Sequence, residues 1–152
     1  MNYNSEKKTG DVYDALRDPN STNELVNHLE DLDNTFTDMS FSSYFNKFLA
    51  ASGKTPQELA TMTGIDTYYI YPILNGTQGP KRDRAIALCL AVGMTDEECI
   101  RCLERSNLGI LYAKNKRDSV IIYAFRNKMS VNELNAKLID LGFYHLVVSK
   151  ES

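Results

Sequence analysis

Apolar side chains recur along most of this chain at the spacing of one helix face, and short polar stretches separate the apolar segments. In Ser42–Ala51, for example, Tyr44, Phe45, Phe48 and Leu49 fall on one side of a helix. The alternation typical of a half-buried strand is nearly absent. The pattern therefore predicts an all-α fold.

Helix starts are marked by four Ser/Thr-x-x-Glu sequences, in which the hydroxyl and the carboxylate each satisfy a backbone amide of the first turn. They are Ser21–Glu24, Thr55–Glu58, Thr95–Glu98 and Ser130–Glu133. Helix ends are marked by glycine. The predicted helices are a possible short one at Asn23–Leu32, then Ser42–Ala51, Pro56–Thr63, a helix capped by Asp66 that ends at Leu74, Lys81–Val92, Asp96–Arg105, Arg117–Asn127 and Val131–Leu141.

The segment Ser119–Tyr123 is the exception, because its β-branched residues favour a strand. A lone strand would have no partner in an otherwise helical chain. We therefore assign this segment to a buried helix.

The segment Thr55–Asp66 has the features of two short helices joined by a tight turn at Gly64. A helix-turn-helix needs a small residue where its helices cross, here Ala60, and apolar residues that hold the second helix against the body. Those apolar contacts are predicted to come from Leu59, Ile65, Ile70 and Ile73.

Residues 41–92 resemble the Xre/Cro-repressor family of phage-type helix-turn-helix proteins. The resemblance is carried by Thr55, Leu59-Ala60, Gly64-Ile65, the pair Ile70 and Ile73, Asn75-Gly76 and Pro80. The chain after residue 40 is also similar to a group of Xre-like regulators of Gram-positive bacteria. That similarity is carried by Asn75-Gly76, Lys81-Arg82-Asp83, Thr95-x-x-Glu98, Ile110-Leu111-Tyr112, Asn115-Lys116-Arg117-Asp118 and Val131-Asn132-Glu133-Leu134-Asn135.

The resemblance implies a five-helix, phage-repressor-like (lambda-repressor-like) DNA-binding domain over residues 40–106. A C-terminal helical extension, residues 107–152, is expected to pack on it as a helical pair and to supply a possible dimerisation element. Residues 1–39 would form an acidic, largely flexible arm.

The resemblance also implies which side chains contact DNA. The base-facing positions are Thr67, Tyr68 and Tyr71. The phosphate-contacting positions are Lys54, Gln57, Thr77, Gln78, Lys81, Arg82 and Arg84. Such a cluster is otherwise typical of a solvated charged face, and Arg84 alternatively pairs with a carboxylate.

Two prolines depart from the family pattern. Pro72 stands where relatives place a polar base-contacting residue, and it should disturb its helix by ~3 kcal/mol because it lacks an N–H. Pro56 replaces a phosphate-binding Gln, although the amides of its helix remain for that purpose. No Lys or Arg occurs from Pro56 to Asn75, so the arginine–guanine contacts that are commonest in base recognition are absent from this helix.

The net charge of −3 is distributed unevenly along the chain. Residues 1–39 contain three basic and nine acidic side chains, a net −6, which leaves +3 for the remainder. A mildly basic body is weak support for DNA binding. The acidic arm is compatible with a solubilising tail, with docking on a partner, or with covering the basic face.

Cys89, Cys99 and Cys102 lie in apolar helical patterns, which favours reduced thiols packed as small apolar groups. The Cys99-x-x-Cys102 spacing is that of zinc and redox motifs, but no second ligand pair accompanies it. We expect no metal, no cofactor and no enzymatic activity. The N-terminus lacks the apolar region of a secretory signal and no window reaches the ~20 apolar residues of a membrane span, so we expect a cytoplasmic protein without membrane association.

Two functions follow as hypotheses. The first is a sequence-specific transcriptional regulator that binds double-stranded DNA as a homodimer, with its helix-turn-helix in the major groove. The second is an adaptor that retains the repressor-like fold and binds a protein partner through the Tyr68/Tyr71 face, since tyrosine is enriched in binding hot spots.

Overall fold

The structure is a computed structural model that describes residues 25–26 and 40–147. Contacts divide the chain into two units, residues 1–39 and residues 40–152. Leu25 and Val26 are helical and exposed. The rest of the predicted helix Asn23–Leu32, the Ser21–Glu24 capping sequence and the predicted flexibility of the arm lie outside the described residues.

Residues 40–147 form seven helices, and this range contains no strand, which confirms the predicted all-α class. The helices are α1 (Phe41–Ser52), α2 (Pro56–Thr63), α3 (Thr67–Asn75), α4 (Arg82–Ala91), α5 (Asp96–Arg105), α6 (Lys116–Arg126) and α7 (Val131–Asp140). The β-prone segment Ser119–Tyr123 lies inside α6, as assigned. Across residues 40–147, no helix has the length and apolar character needed to cross a membrane.

The helix boundaries follow from local chemistry. Thr55, Thr95 and Ser130 each form a complete capping box with a glutamate three residues later, as predicted. The Asp66 carboxylate accepts a hydrogen bond from the Tyr68 amide at 2.8 Å and caps α3. Helix α4 begins one residue later than expected, because Lys81 occupies its N-cap position.

Helix α4 forms the centre of the fold. All residues from Ala85 to Ala91 are buried, so the last two turns of this helix are covered on every side. Helices α2, α5 and α7 contact it directly. Burial of a Leu or Ile side chain such as Leu88 stabilises a fold by about 1.5–3 kcal/mol, so this helix contributes strongly to the free energy of folding.

Helices α6 and α7 pack against each other, and α7 also contacts α2 and α4. The chain after α7 returns to this pair: Leu146 is buried, and its amide donates a hydrogen bond of 2.7 Å to the Asn135 side-chain oxygen. The Asn135 side chain thereby holds the segment that follows the last two helices.

Gly76 ends α3 in a left-handed conformation, with φ of +83°. A Cβ atom at this position would lie 2.9 Å from the Ser42 hydroxyl oxygen on α1. Nearby, the Asn46 side-chain amide donates to the Leu74 carbonyl at 2.9 Å. The end of α3 is therefore fitted closely to α1, and glycine is required at its cap for both conformation and space.

Replacing Gly76 by Ala should lower the free energy of unfolding by about 2–3 kcal/mol, since the left-handed conformation costs a non-glycine residue roughly 1–2 kcal/mol and Ser42 must also move. Gly53→Ala is the matched control. Its φ is +70° but no atom lies within 4 Å of the added Cβ, so it should lose only about 1–2 kcal/mol. Chemical denaturation of both variants measures the difference, and equal losses would show that the contact with Ser42 adds nothing.

Candidate nucleic-acid interface

Helices α2 and α3 are joined by the turn Gly64–Asp66, and apolar contacts fix both helices. Leu59 on α2, Ile65 in the turn, and Ile70 and Ile73 on α3 are buried, as predicted. The buried Thr63 hydroxyl donates to the Leu59 carbonyl at 2.7 Å and accepts from the Ile65 amide at 3.1 Å. These bonds hold the turn in one conformation.

The opposite side of α3 is exposed. Tyr68 is 76% exposed and Tyr71 is 46% exposed, whereas Thr67 and Tyr69 are partly buried. The Tyr68 ring meets the Tyr69 ring edge-on, with centroids 5.1 Å apart. Of the three positions predicted to face bases, Tyr68 and Tyr71 are exposed and Thr67 is partly buried. The outer surface of α3 is therefore mainly aromatic.

Tyr71 is held by a side chain of α2. The Gln57 amide nitrogen donates a hydrogen bond to the Tyr71 hydroxyl oxygen at 2.7 Å. Gln57 was predicted as a phosphate contact and Tyr71 as a base contact, so the structure joins two candidate residues from different helices. The sequence pattern gave no indication of this bond, because the residues lie fourteen positions apart.

Pro72 lies inside α3, and the helix continues through this residue. Helix α3 continues to Asn75, and the Pro72 carbonyl accepts hydrogen bonds from the amides of Thr77 and Gln78 at 3.1 and 3.2 Å. The Thr77 hydroxyl also donates to the Asn75 side chain at 2.7 Å. The two exposed phosphate candidates Thr77 and Gln78 are thereby fixed at the end of α3.

The basic candidates differ in their surroundings. Lys81 is exposed at the N-cap of α4, and Lys54 is partly buried just before α2. The Arg84 guanidinium lies over the Tyr69 ring, 4.5 Å from its centroid. Arg84 therefore makes a cation–π contact instead of the alternative pair with a carboxylate. This contact links α4 to α3.

Arg82 is largely occupied within the protein, which leaves less of its guanidinium for the phosphate contact expected from the sequence. Its Nε donates to the Gly109 carbonyl at 2.7 Å, and its Nη2 donates to the Ile110 carbonyl at 3.0 Å. The same nitrogen forms an ion pair of 2.9 Å with Asp118, which is only 6% exposed. A buried carboxylate needs such a partner, and this requirement decides the position of the guanidinium.

A second ion pair mirrors the first. Arg117 donates to both oxygens of Asp83, at 3.1 and 3.0 Å. The sequence Lys-Arg-Asp occurs at residues 81–83 and again at residues 116–118, and each arginine pairs with the aspartate of the other copy. This repeated tripeptide is the signal in the sequence that could have revealed the pairing between α4 and α6.

The helix N-termini near the candidate site carry their own caps. Thr55 and Glu58 satisfy each other's amides at the start of α2, where Pro56 has no N–H. Asp66 occupies the start of α3 with a carboxylate. The amides of α2 therefore offer less for a phosphate than the sequence indicated, and any phosphate contacts fall to side chains.

The three cysteines are free and buried, as expected for packed thiols. Burial raises the pKa of the Cys89 thiol well above its ordinary value, and the neighbouring Cys102 and Cys99 thiols raise it further. Among residues 25–26 and 40–147 no group of three or more His, Cys, Asp or Glu side chains is arranged to hold a metal ion.

Comparison with protein-family models, curated proteins and solved structures found no match for this chain.

Replacing Arg82 by Met should lower the free energy of unfolding by about 2–4 kcal/mol, because the Asp118 charge would remain buried without its partner. Arg126→Met is the matched control: Arg126 pairs with Asp96, but its side chain is 69% exposed, so its loss should be at most about 1 kcal/mol. Adding Asp118→Asn to Arg82→Met should recover part of the stability. Equal losses for the two arginines in denaturant unfolding would contradict this role of Arg82.

The Cys89 thiol should make stability depend on alkaline pH. Since its pKa is raised by folding, its contribution is complete below about pH 9, the ordinary thiol pKa, and is lost as the pH rises further. The free energy of unfolding in reducing buffer should therefore fall more steeply between neutral and alkaline pH in the wild type than in Cys89→Ala. Parallel pH profiles for the two proteins would show that Cys89 does not contribute.

Proposed function

We propose that this chain is a sequence-specific DNA-binding transcriptional regulator that places α3 in the major groove. The observation that carries the proposal is the division of α3 into two faces. Ile70 and Ile73 anchor it to the core, while Tyr68 and Tyr71 are exposed on its outer side. Helices of a helix-turn-helix have this arrangement, in which the second helix is presented to base edges.

The residues around α3 support the proposal. The exposed residues Thr77 and Gln78 follow the C-terminal end of α3 directly. Lys81 is exposed at the N-cap of α4, and Lys54 precedes α2. Side chains of these types contact phosphate oxygens and fix the orientation of a protein on the duplex. Arg82 is left out of this set, because its role is to neutralise Asp118. We assign the Xre-like, phage-repressor-type arrangement to residues 40–106 on the same basis.

A single α3 contacts few base pairs, so a regulator of this type needs a second copy for specificity. Tyr123, Ile139 and Leu141 in the C-terminal part are each more than half exposed. A protein–protein contact would remove such exposed apolar side chains from water. We therefore propose that these three side chains, within the C-terminal extension of residues 107–152, form the homodimer contact.

An adaptor that binds a protein through the Tyr68/Tyr71 face is the second candidate. It is favoured by one observation: two exposed tyrosines lie on a surface whose helices, from Pro56 to Asn75, contain no basic side chain. A face of that composition resembles a protein-binding hot spot. Affinity for duplex DNA and its dependence on salt separate the two candidates.

The full chain should bind random duplex DNA in fluorescence anisotropy. The logarithm of its binding constant should fall linearly with the logarithm of the salt concentration. Replacing both Lys54 and Lys81 by Ala should weaken binding. It should also make the line less steep, reducing the magnitude of its slope by about 2, one unit for each lost phosphate contact. Arg82 is kept in this variant, since its loss would disturb the fold.

The control is the double variant Lys114→Ala and Lys137→Ala, which removes two exposed lysines outside the candidate site. It should keep the wild-type slope. An equal change in both variants would indicate a response to net charge alone. A folded chain that binds no duplex at any salt concentration would contradict the regulator and leave the adaptor as the supported function.

A further inference from the structure

We infer that the α2–α3 face is built to recognise A·T base pairs, and that the hydrogen-bonded pair Gln57–Tyr71 sets this preference. The inference rests on the proposed DNA-binding function and adds the class of duplex that the site selects. It follows from which donors and acceptors the face presents and from how they are held.

The face lacks the groups that favour guanine. Guanine offers two acceptors, O6 and N7, in the major groove, and an arginine or lysine is the usual donor to both. No such side chain occurs between Pro56 and Asn75. The two arginines that open α4 are committed elsewhere, Arg82 to Asp118 and Arg84 to the face of the Tyr69 ring.

The Gln57–Tyr71 pair has the groups that favour adenine. Because the Gln57 amide nitrogen donates to the Tyr71 oxygen at 2.7 Å, the phenol proton is directed to an external acceptor. The Gln57 carbonyl oxygen remains an acceptor. An adenine edge offers the matching set, the N7 acceptor and the N6 amino donor.

The pair is also preorganised. Both side chains are exposed, and a long exposed glutamine alone would lose rotamer freedom on binding a base. The bond between α2 and α3 fixes both side chains before DNA arrives. A donor and an acceptor held together by two anchored helices select one base edge better than two independent side chains.

Tyr68 supplies the complementary contact. Its ring is 76% exposed and rests edge-on against Tyr69, which in turn lies under the Arg84 guanidinium. A fixed apolar surface of this kind suits the C5-methyl group of thymine, which distinguishes A·T pairs by apolar contact. Adenine and thymine therefore each have a partner on the same face.

The test is a selection of duplexes from a randomised pool by the full-length protein, followed by sequencing and by affinity measurements on matched A·T and G·C duplexes. The wild type should enrich A·T pairs. Tyr71→Phe removes the hydroxyl alone, and Gln57→Ala removes its partner. Each should lower the ratio of A·T to G·C affinity by about 3- to 10-fold, the value of one hydrogen bond. Tyr144→Phe, at a tyrosine that is 87% exposed outside this face, is the matched control and should retain the wild-type ratio.

Different failures have different meanings. A selected pool enriched in G·C pairs, or one whose base composition is unchanged, would overturn the inference, although duplex binding itself would stand. An A·T preference unchanged in both variants, with circular dichroism showing that they fold, would overturn the assignment to Gln57 and Tyr71. The absence of any duplex binding by the wild type would overturn the inference together with the proposed function.

Discussion

Helix α4 is apolar around its last two turns, and the surrounding helices have to keep water from all of it. Only its first turn, with Lys81 at the N-cap, reaches solvent. This arrangement brings the polar start of α4 next to the start of α6, where Asp118 is buried and must be neutralised. The crossed ion pairs between the two Lys-Arg-Asp sequences meet that requirement and join the C-terminal helices to the rest of the fold.

The same packing explains why α3 has an exposed outer face. Its inner side is held by Ile70 and Ile73, its end is fitted to α1 at Gly76, and the side chain of Tyr69 is covered by Arg84 from α4. The helix is thus fixed at three places along its length. The helix thereby exposes its tyrosines and the Gln57–Tyr71 pair from a firmly held backbone, which the proposed DNA binding requires.

The sequence predicted the helices well because their ends are determined locally. Capping boxes such as Thr95–Glu98 lie within one turn of the chain, and the three that begin at Thr55, Thr95 and Ser130 formed as expected. Burial of the α3 anchors and exposure of Tyr68 were also predictable from helix periodicity. The role of Arg82 was not, because its partner is thirty-six residues away and a basic residue at a helix start has the same local pattern whether it faces solvent or a buried carboxylate. The Gln57–Tyr71 bond escaped prediction for the same reason.

The crossed ion pairs also constrain how this chain can evolve. A change at Arg82 alone leaves a charge buried at Asp118, whereas a joint change to two neutral residues removes both. Substitutions at these positions should therefore be accepted together or not at all, and the same holds less strictly for the more exposed pair Asp83 and Arg117. In descendants of this sequence the four positions would vary as two linked couples, whereas Tyr68, which is 76% exposed, carries no constraint of this kind.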